Sequence, residues 1–349
     1  MDSNVEVRFW TDKKFLSQSR IIFAAENIPV STIISGKWRR YANLKWYHHF
    51  QHIFKTHLMN LLDLFKVGIG VVQSFFKLLS WWPDAIFVKG GYVGLPVGLA
   101  TKILGIPLVV HDSDAYPGLT DRILSKWATK IGTGMPKKYY PQYPKEKTEF
   151  VGIPVRTEFY EKPKRKLSDD SLSVLAMGGG QGAKYLNNVI LDNADELKNL
   201  ARFTIITGDK NFKDATERTK GIKGFEVLAF VGIGLAKLVG SSDIIITRAG
   251  ATALAELALL GSTVIIVPNP WLAADHQTKN AGVYESAKAA VVIDQRDLAE
   301  KLIPTIKELL ANKSKRNELA KNLREFAQPD AAKKMAQMII GVVNARVKK

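Results

Sequence analysis

The residues best placed for chemistry gather at three glycine-rich turns, each of which follows an apolar, β-type run and opens into a helical pattern. In DIIITRAGATALAELALLG, Gly250 closes a strand, Ala251 to Leu260 read as a small-residue helix and Gly261 stops it at C′. Free backbone N–H groups at such a helix start bind anions, phosphate above all. Glu256 stands out in that helix. A lone Glu in an apolar helix faces solvent by default, yet this one lies within reach of a ligand held at the N-terminal turn. The next strand leads into NPWLAADHQTKN, where Asp275, His276, Gln277, Thr278, Lys279 and Asn280 crowd hydrogen-bonding groups at a strand's carboxyl end, as a sugar's hydroxyls require.

The turn SVLAMGGGQGAKYLNN joins a strand to a helix through Gly178, Gly179, Gly180 and Gly182. Tyr185 occupies the last glycine position of the dinucleotide fingerprint and no acid follows at the next strand end, so a nicotinamide site is rejected, as is a Walker loop. Phosphate contact and tight packing both remain open for it. The earliest turn, DAIFVKGGYVGLPVG, runs from Lys89 through Gly90 and Gly91 to a helix expected to open near Pro96. Two glycines there serve a ligand or a packed backbone equally well. The cluster His48, His49, His52 and His57 lacks an accompanying carboxylate or Cys and is read as no metal site.

Short β-rich runs (VEVRFW, DAIFVK, PLVVH, SVLAM, RFTIITG, DIIIT, STVIIVP) alternate with helical patterns, which argues for an α/β chain with parallel sheets. The charged stretch 156–170 divides two such series. Residues 1–155 and 171–328 are therefore expected as domains, and residues 329–349 as a C-terminal helix packing back on the first domain. The 349 residues include no Cys, which excludes disulfide scaffolds, thiolate metal sites and cysteine nucleophiles. The net charge is +17, and residues 1–168 hold 25 basic against 13 acidic side chains. Such a field calls for a polyanionic partner. The opening MDSNVEVRFWTDKK lacks the pattern of a signal peptide, and the most apolar stretch, 58–82, is broken by Asp63, Lys66, Gln73 and Lys77. Within 36–82, seven basic residues interleave with aromatics against one acid. An amphipathic surface on an anionic membrane and a core-packing helix pair with a solvated basic face are both compatible with that composition. Nucleic acid is excluded as the partner because no reader motif accompanies the charge.

Taken together, the three turns, FVGIPVRTEF at the domain junction, HDSDAYPGLTDRI, SGKWRRY and PDAAKKMAQMI resemble the MurG family of peptidoglycan synthesis, from Val5 to the C-terminus. The resemblance implies a GT-B architecture, two Rossmann-like domains facing a cleft. It also implies an inverting transferase that moves N-acetylglucosamine from UDP-N-acetylglucosamine to lipid I, giving lipid II at the cytoplasmic face of the membrane. No metal and no cofactor beyond the donor substrate are implied. Lipid I, the anionic membrane surface met through residues 36–82, and other cell-wall synthesis proteins are the implied partners.

Carried onto this chain, the donor site comprises Arg156, Gly179, Gly180, Gln181, Ala251, Thr252, Ala253, Glu256, His276, Gln277 and Asn280. Glu256 would hold the ribose, the backbone at 251–253 the diphosphate, and His276 and Gln277 the sugar, with Asn280 supporting their loop. Gly180 stands where the family commonly has Ser, and Ile153 where it has Asn. Gly90, Gly91 and Tyr92 would line the acceptor side. The chain opens on what matches the family's second strand, so a strand–helix unit of about 30 residues, with a GGTGGH-type loop carrying the family's base, is expected to be missing; a start assigned too late is favoured over a broken gene or a genuinely shorter protein. In its absence His111, Asp112 and Asp114, of HDSD where the family reads HEQN, are the candidate bases. A glycolipid synthase using diacylglycerol and a non-catalytic UDP-sugar-binding subunit are the competing readings.

Overall fold

The computed structural model describes residues 5–38, 46–161, 171–178, 183–271 and 275–347, with side chains described from 57 on in the first long helix and up to 346 in the last. In chain order the first part comprises β1 (Phe9–Thr11), α1 (Leu16–Phe23), β2 (Val30–Thr32), α2 (Trp46–Trp81), β3 (Ile86–Val88), α3 (Gly91–Leu104), β4 (Leu108–Asp112), α4 (Leu119–Leu124), β5 (Lys130–Thr133) and β6 (Thr148–Phe150). The second part continues with β7 (Ser173–Met177), α5 (Lys184–Asp192), α6 (Ala194–Leu197), β8 (Arg202–Ile206), α7 (Asp209–Arg218), β9 (Phe225–Leu228), α8 (Leu235–Ser241), β10 (Ile244–Thr247), α9 (Ala251–Leu260), β11 (Val264–Ile266), α10 (His276–Ser286) and β12 (Val291–Val292). Three helices follow: α11 (Leu298–Ala311), α12 (Lys313–Arg324) and α13 (Ala331–Val347).

The second part forms one six-stranded sheet in the order β12-β11-β10-β7-β8-β9, parallel throughout. Its central strands are buried along their length, which is why IIIT and VLAM read as unbroken apolar runs rather than alternating ones. The first part is divided among the described residues. Strands β3-β4-β5-β6 make a parallel sheet of four, while β1 and β2 pair only with each other. The last helix returns to the four-stranded sheet, where Met335, Met338 and Val342 pack with Val109 and Val151. A single apolar cluster runs from Leu108 and Val110 through Met135 and Tyr140 to Leu257 and Tyr284, joining the two parts.

Two expectations need correction. Helix α3 opens at Gly91, not near Pro96, because Gly90 at φ 63° turns the chain sharply out of β3; Pro96 falls inside the helix and removes one backbone donor there. Segment 46–81 is one continuous helix rather than a pair, about 54 Å long at 1.5 Å per residue.

The amphipathicity of α2 is inverted. Its inward face carries Asn60, Asp63 and Ser74 beside Leu78, while Leu61, Leu64, Phe65, Ile69, Val72 and Phe76 are each more than half exposed. At the edge of that face Gln73 ties the extended segment after β2 to the helix: it accepts from the Ile34 N–H at 2.8 Å and donates to the Thr32 carbonyl at 3.1 Å. Gly36 and Gly70 permit that approach, since a Cβ on either would stand about 2 Å from a backbone oxygen of the other strand of the contact.

Candidate active site

The residues expected at the donor site gather on β10 and α9. Thr247 ends the strand, Gly250 caps the helix with open space where a side chain would stand, and the first N–H groups of α9 face outward from the sheet's carboxyl edge. Glu256 lies one and a half turns in, buried, and is held by Arg156 from across the junction. Nε donates to Oε1 at 2.9 Å and Nη2 to Oε2 at 3.3 Å. Arg156 also donates through Nη1 to the Gly232 carbonyl at 3.0 Å and pairs with Glu158 at 3.2 Å. Glu158 in turn accepts from the N–H of Gly234 at 2.8 Å, at the start of α8. The loop that this network anchors leaves Phe230 and Ile233 largely in solvent. Arg248, behind the turn, is buried against the Val267 carbonyl at 3.0 Å and pushed down to about 10 by that burial. Thr247 keeps a buried hydroxyl with no partner.

Helix α10 opens at His276 behind Asp275, whose φ of 54° marks a tight entry. Gln277 accepts from the Asn269 N–H at 2.9 Å, and its amide N–H groups meet no partner among the described residues. Asn280, one turn on, is fully buried and works across the two halves. Its Oδ1 accepts from the Ala115 N–H at 2.7 Å, while Nδ2 donates to Asp114 Oδ1 at 2.8 Å and to the Ala249 carbonyl at 3.1 Å. Asn280 is thus a tie between the halves rather than a group open to a donor. Beside it Lys279 stands 3.8 Å over the Tyr116 ring.

Among the residues expected to line the acceptor side, Gly90 and Gly91 both take positive φ, and Tyr92 donates its hydroxyl to Asp12 near the end of β1. Burial and then that carboxylate push Tyr92 up to about 12. Asp112, at the end of β4, accepts from the Tyr143 hydroxyl at 2.7 Å and from the Asp114 N–H at 3.2 Å. Burial, outweighing the Tyr143 hydrogen bond, pushes Asp112 up to about 7. Asp114 is only partly buried, and Tyr140 donates to its carbonyl at 2.8 Å. His111 points the other way. Its Nε2 meets the Gly152 carbonyl at 2.8 Å, its Nδ1 meets the Ser113 hydroxyl at 3.3 Å, and burial pushes it down to about 4. With both ring nitrogens engaged inside the fold, His111 is unsuited to take a proton from a substrate.

The structure therefore brings Arg156, Glu256 and the start of α9 together, and sets Asn280, Asp112 and Asp114 against them. Gly179, Gly180 and Gln181 lie outside the described residues, as do the side chains of His48, His49 and His52. Sequence reading missed the loop 230–234 and Glu158, whose one signal was the acid two residues after Arg156. It also missed the tie made by Asn280, whose partners are 165 residues away. Among the described residues no group of three or more His, Asp or Glu is arranged to hold a metal ion.

Comparison with known proteins adds to this geometry. Residues 173–335 match the glycosyltransferase family 28 C-terminal domain, and residues 1–133 match the N-terminal domain of the same family. A protein of Borrelia turicatae named UDP-N-acetylglucosamine--N-acetylmuramyl-(pentapeptide) pyrophosphoryl-undecaprenol N-acetylglucosamine transferase is 31% identical over 99% of this chain and 91% of its own. A protein of Citrifermentans bemidjiense with the same name is 33% identical over 81% of this chain and 80% of its own. The crystal structure of Acinetobacter baumannii MurG superposes with a TM-score of 0.75 at 25% identity, covering 96% of this chain and 91% of that one. The calicheamicin glycosyltransferase CalG4 shares the fold alone, with a TM-score of 0.65 at 12% identity.

Proposed function

The chain belongs to the MurG family of UDP-N-acetylglucosamine-dependent transferases, with a GT-B fold, and from that membership we propose how it works: it transfers N-acetylglucosamine from UDP-N-acetylglucosamine to lipid I, giving lipid II. The observation that carries the reading is the buried Glu256, fixed by Arg156 behind the start of α9. An oriented carboxylate accepts both hydroxyls of a ribose, and the N–H groups at 251–253 take the diphosphate as charge develops on it. The exposed ring of Phe230 on the adjoining loop suits stacking on the base. His276 and the unspent amide of Gln277 suit the sugar's hydroxyls.

Asp114, oriented by Asn280 and open to the cleft, takes the proton from the acceptor hydroxyl as its oxygen attacks the anomeric carbon. The bond from that carbon to the diphosphate breaks on the opposite side, which inverts the centre. Asp112 stands behind Asp114 and holds its loop through the Asp114 N–H. The Gly90–Gly91 turn with Tyr92 forms the acceptor's side of the cleft. The exposed apolar stripe of α2, in a segment rich in basic residues, suits the lipid end of such an acceptor and a peripheral seat on the cytoplasmic face of an anionic membrane. Among the described residues no helix is long and apolar enough to cross a membrane.

The test is donor kinetics in Glu256→Ala with a soluble lipid I analogue. A rise in the donor KM with the acceptor KM unchanged supports the reading, and unchanged donor kinetics refutes it.

A further inference from the structure

Beneath the Gly90–Gly91 turn lies a carboxyl group that the transfer scheme does not use. Asp121 sits in the first turn of α4 at 5% exposure, and its Oδ1 has no hydrogen-bond partner. Two glycines make room for it. A Cβ at Gly90 would stand 3.1 Å from its Oδ2, and one at Gly118 would stand 3.2 Å from the same atom. The backbone of the turn therefore rests directly on the carboxyl, and a side chain at either position would push it away.

Its ionisable surroundings are one-sided. Asp112 and Asp114 face it from the end of β4, Tyr143 is committed to Asp112, and Tyr140 is committed to the Asp114 carbonyl. Lys89, at the entry to the turn, acts on His111 rather than on Asp121. No cation pairs with Asp121 among the described residues. An ionised Asp121 would add a buried negative charge to a cluster that offers no counter-charge.

We propose that Asp121 is a positioning residue of the acceptor site, supporting the Gly90–Gly91 turn by close packing as a neutral, protonated carboxylic acid rather than as a charge. Burial first, then the charges of Asp112 and Asp114, hold its carboxyl well above the usual carboxylate range. A neutral floor also spares an acceptor that carries a diphosphate the repulsion a carboxylate would exert. The inference rests on reading that turn as the acceptor side, and it makes acceptor binding, not donor binding, weaken as Asp121 ionises at high pH.

Asp121→Asn keeps the size and the neutrality, whereas Asp121→Ala removes the group on which the turn rests. In transfer assays the Asn variant is expected to stay within about threefold of wild type, with the alkaline rise in acceptor KM removed, while the Ala variant raises the acceptor KM about tenfold at unchanged donor KM. Thermal unfolding supplies a readout free of catalysis. A carboxyl whose folded pKa is raised is penalised relative to the unfolded chain once pH exceeds about 4. The Asn variant should therefore melt above wild type at pH 7 to 8, with the gap closing as pH falls toward 4. An Asn variant as impaired as Ala and no more stable than wild type would overturn the proposal. A wild type without transfer would refute the proposed function alone, because the melting comparison, together with calorimetric binding of the lipid I analogue to both variants, still decides the state and role of Asp121.

Discussion

The two halves of the cleft solve opposite problems. On the proposed donor side the sheet is continuous, the buried acid Glu256 is matched by Arg156, and among the described residues the remaining donors stay unspent at the start of α9 and at Gln277. On the proposed acceptor side the described strands fall into two sheets, the buried acids Asp112 and Asp121 have no basic partner among the described residues, and the long helix α2 turns its apolar stripe outward. A soluble nucleotide sugar needs a fixed, charge-balanced cradle. A lipid-borne acceptor needs apolar surface to reach and proton-accepting groups to react with, both of which are costly in a folded chain. The difference shows that stability and function are shared out unequally between the halves, with the donor half the better satisfied.

The largest expected effect breaks the acceptor half. Asp114→Asn should lower kcat by about 10²- to 10⁴-fold with donor affinity kept, since general-base removal acts on the chemical step. Asp112→Asn should lower kcat less than Asp114→Asn does and flatten its change near pH 7, because the group that holds the Asp114 loop ionises there. Stopped-time transfer assays across pH check both.

On the donor half, loss of Glu256 leaves Arg156 without its partner and the ribose without its acceptor. Glu256→Ala should raise the donor KM by about ten- to a hundredfold, and Arg156→Ala should do so to a smaller degree because the carboxylate remains. Equal losses of acceptor affinity in these variants would erase the division between the halves.

A third, smaller effect separates membrane seating from chemistry. Phe65→Glu with Ile69→Glu should weaken cosedimentation with anionic vesicles about tenfold or more, since two buried apolar side chains are each worth about 1.5–3 kcal/mol. Turnover of a soluble acceptor analogue should be unchanged.

The smallest is a pH effect on stability. His111 is held near 4 in the fold against about 6.5 when unfolded, so its contribution is lost as pH falls through that window. His111→Gln should flatten the decline of Tm between pH 6.5 and 4. An unchanged slope would place the acid sensitivity elsewhere.

Legibility from the sequence followed the same division. The runs DIIIT, SVLAM, STVIIVP and PLVVH are the central strands, where burial on both faces writes a continuous apolar signal. β2, β5, β6, β9 and β12 were not read because they are two to four residues long, and all but β5 are mostly only partly buried. The α9 helix and its stop at Gly261 were legible to the residue, since a left-handed C-cap favours glycine. The pairing of Arg156 with Glu256 and the tie from Asn280 to Asp114 were not, because long-range contacts leave no local period. Which face of α2 goes in was not legible for a related reason: composition reports that a helix is amphipathic, and only the chain packed against it decides which face goes in.

The most direct test of the divided cleft is a transfer assay on the purified chain with UDP-N-acetylglucosamine and a lipid I analogue, run beside Glu256→Ala and Asp114→Asn. Expected is lipid II formation by the wild type, a donor-KM defect alone in the first variant and a kcat defect alone in the second. A folded chain that binds UDP yet forms no lipid II, or variants whose defects fall on the same kinetic constant, would contradict it.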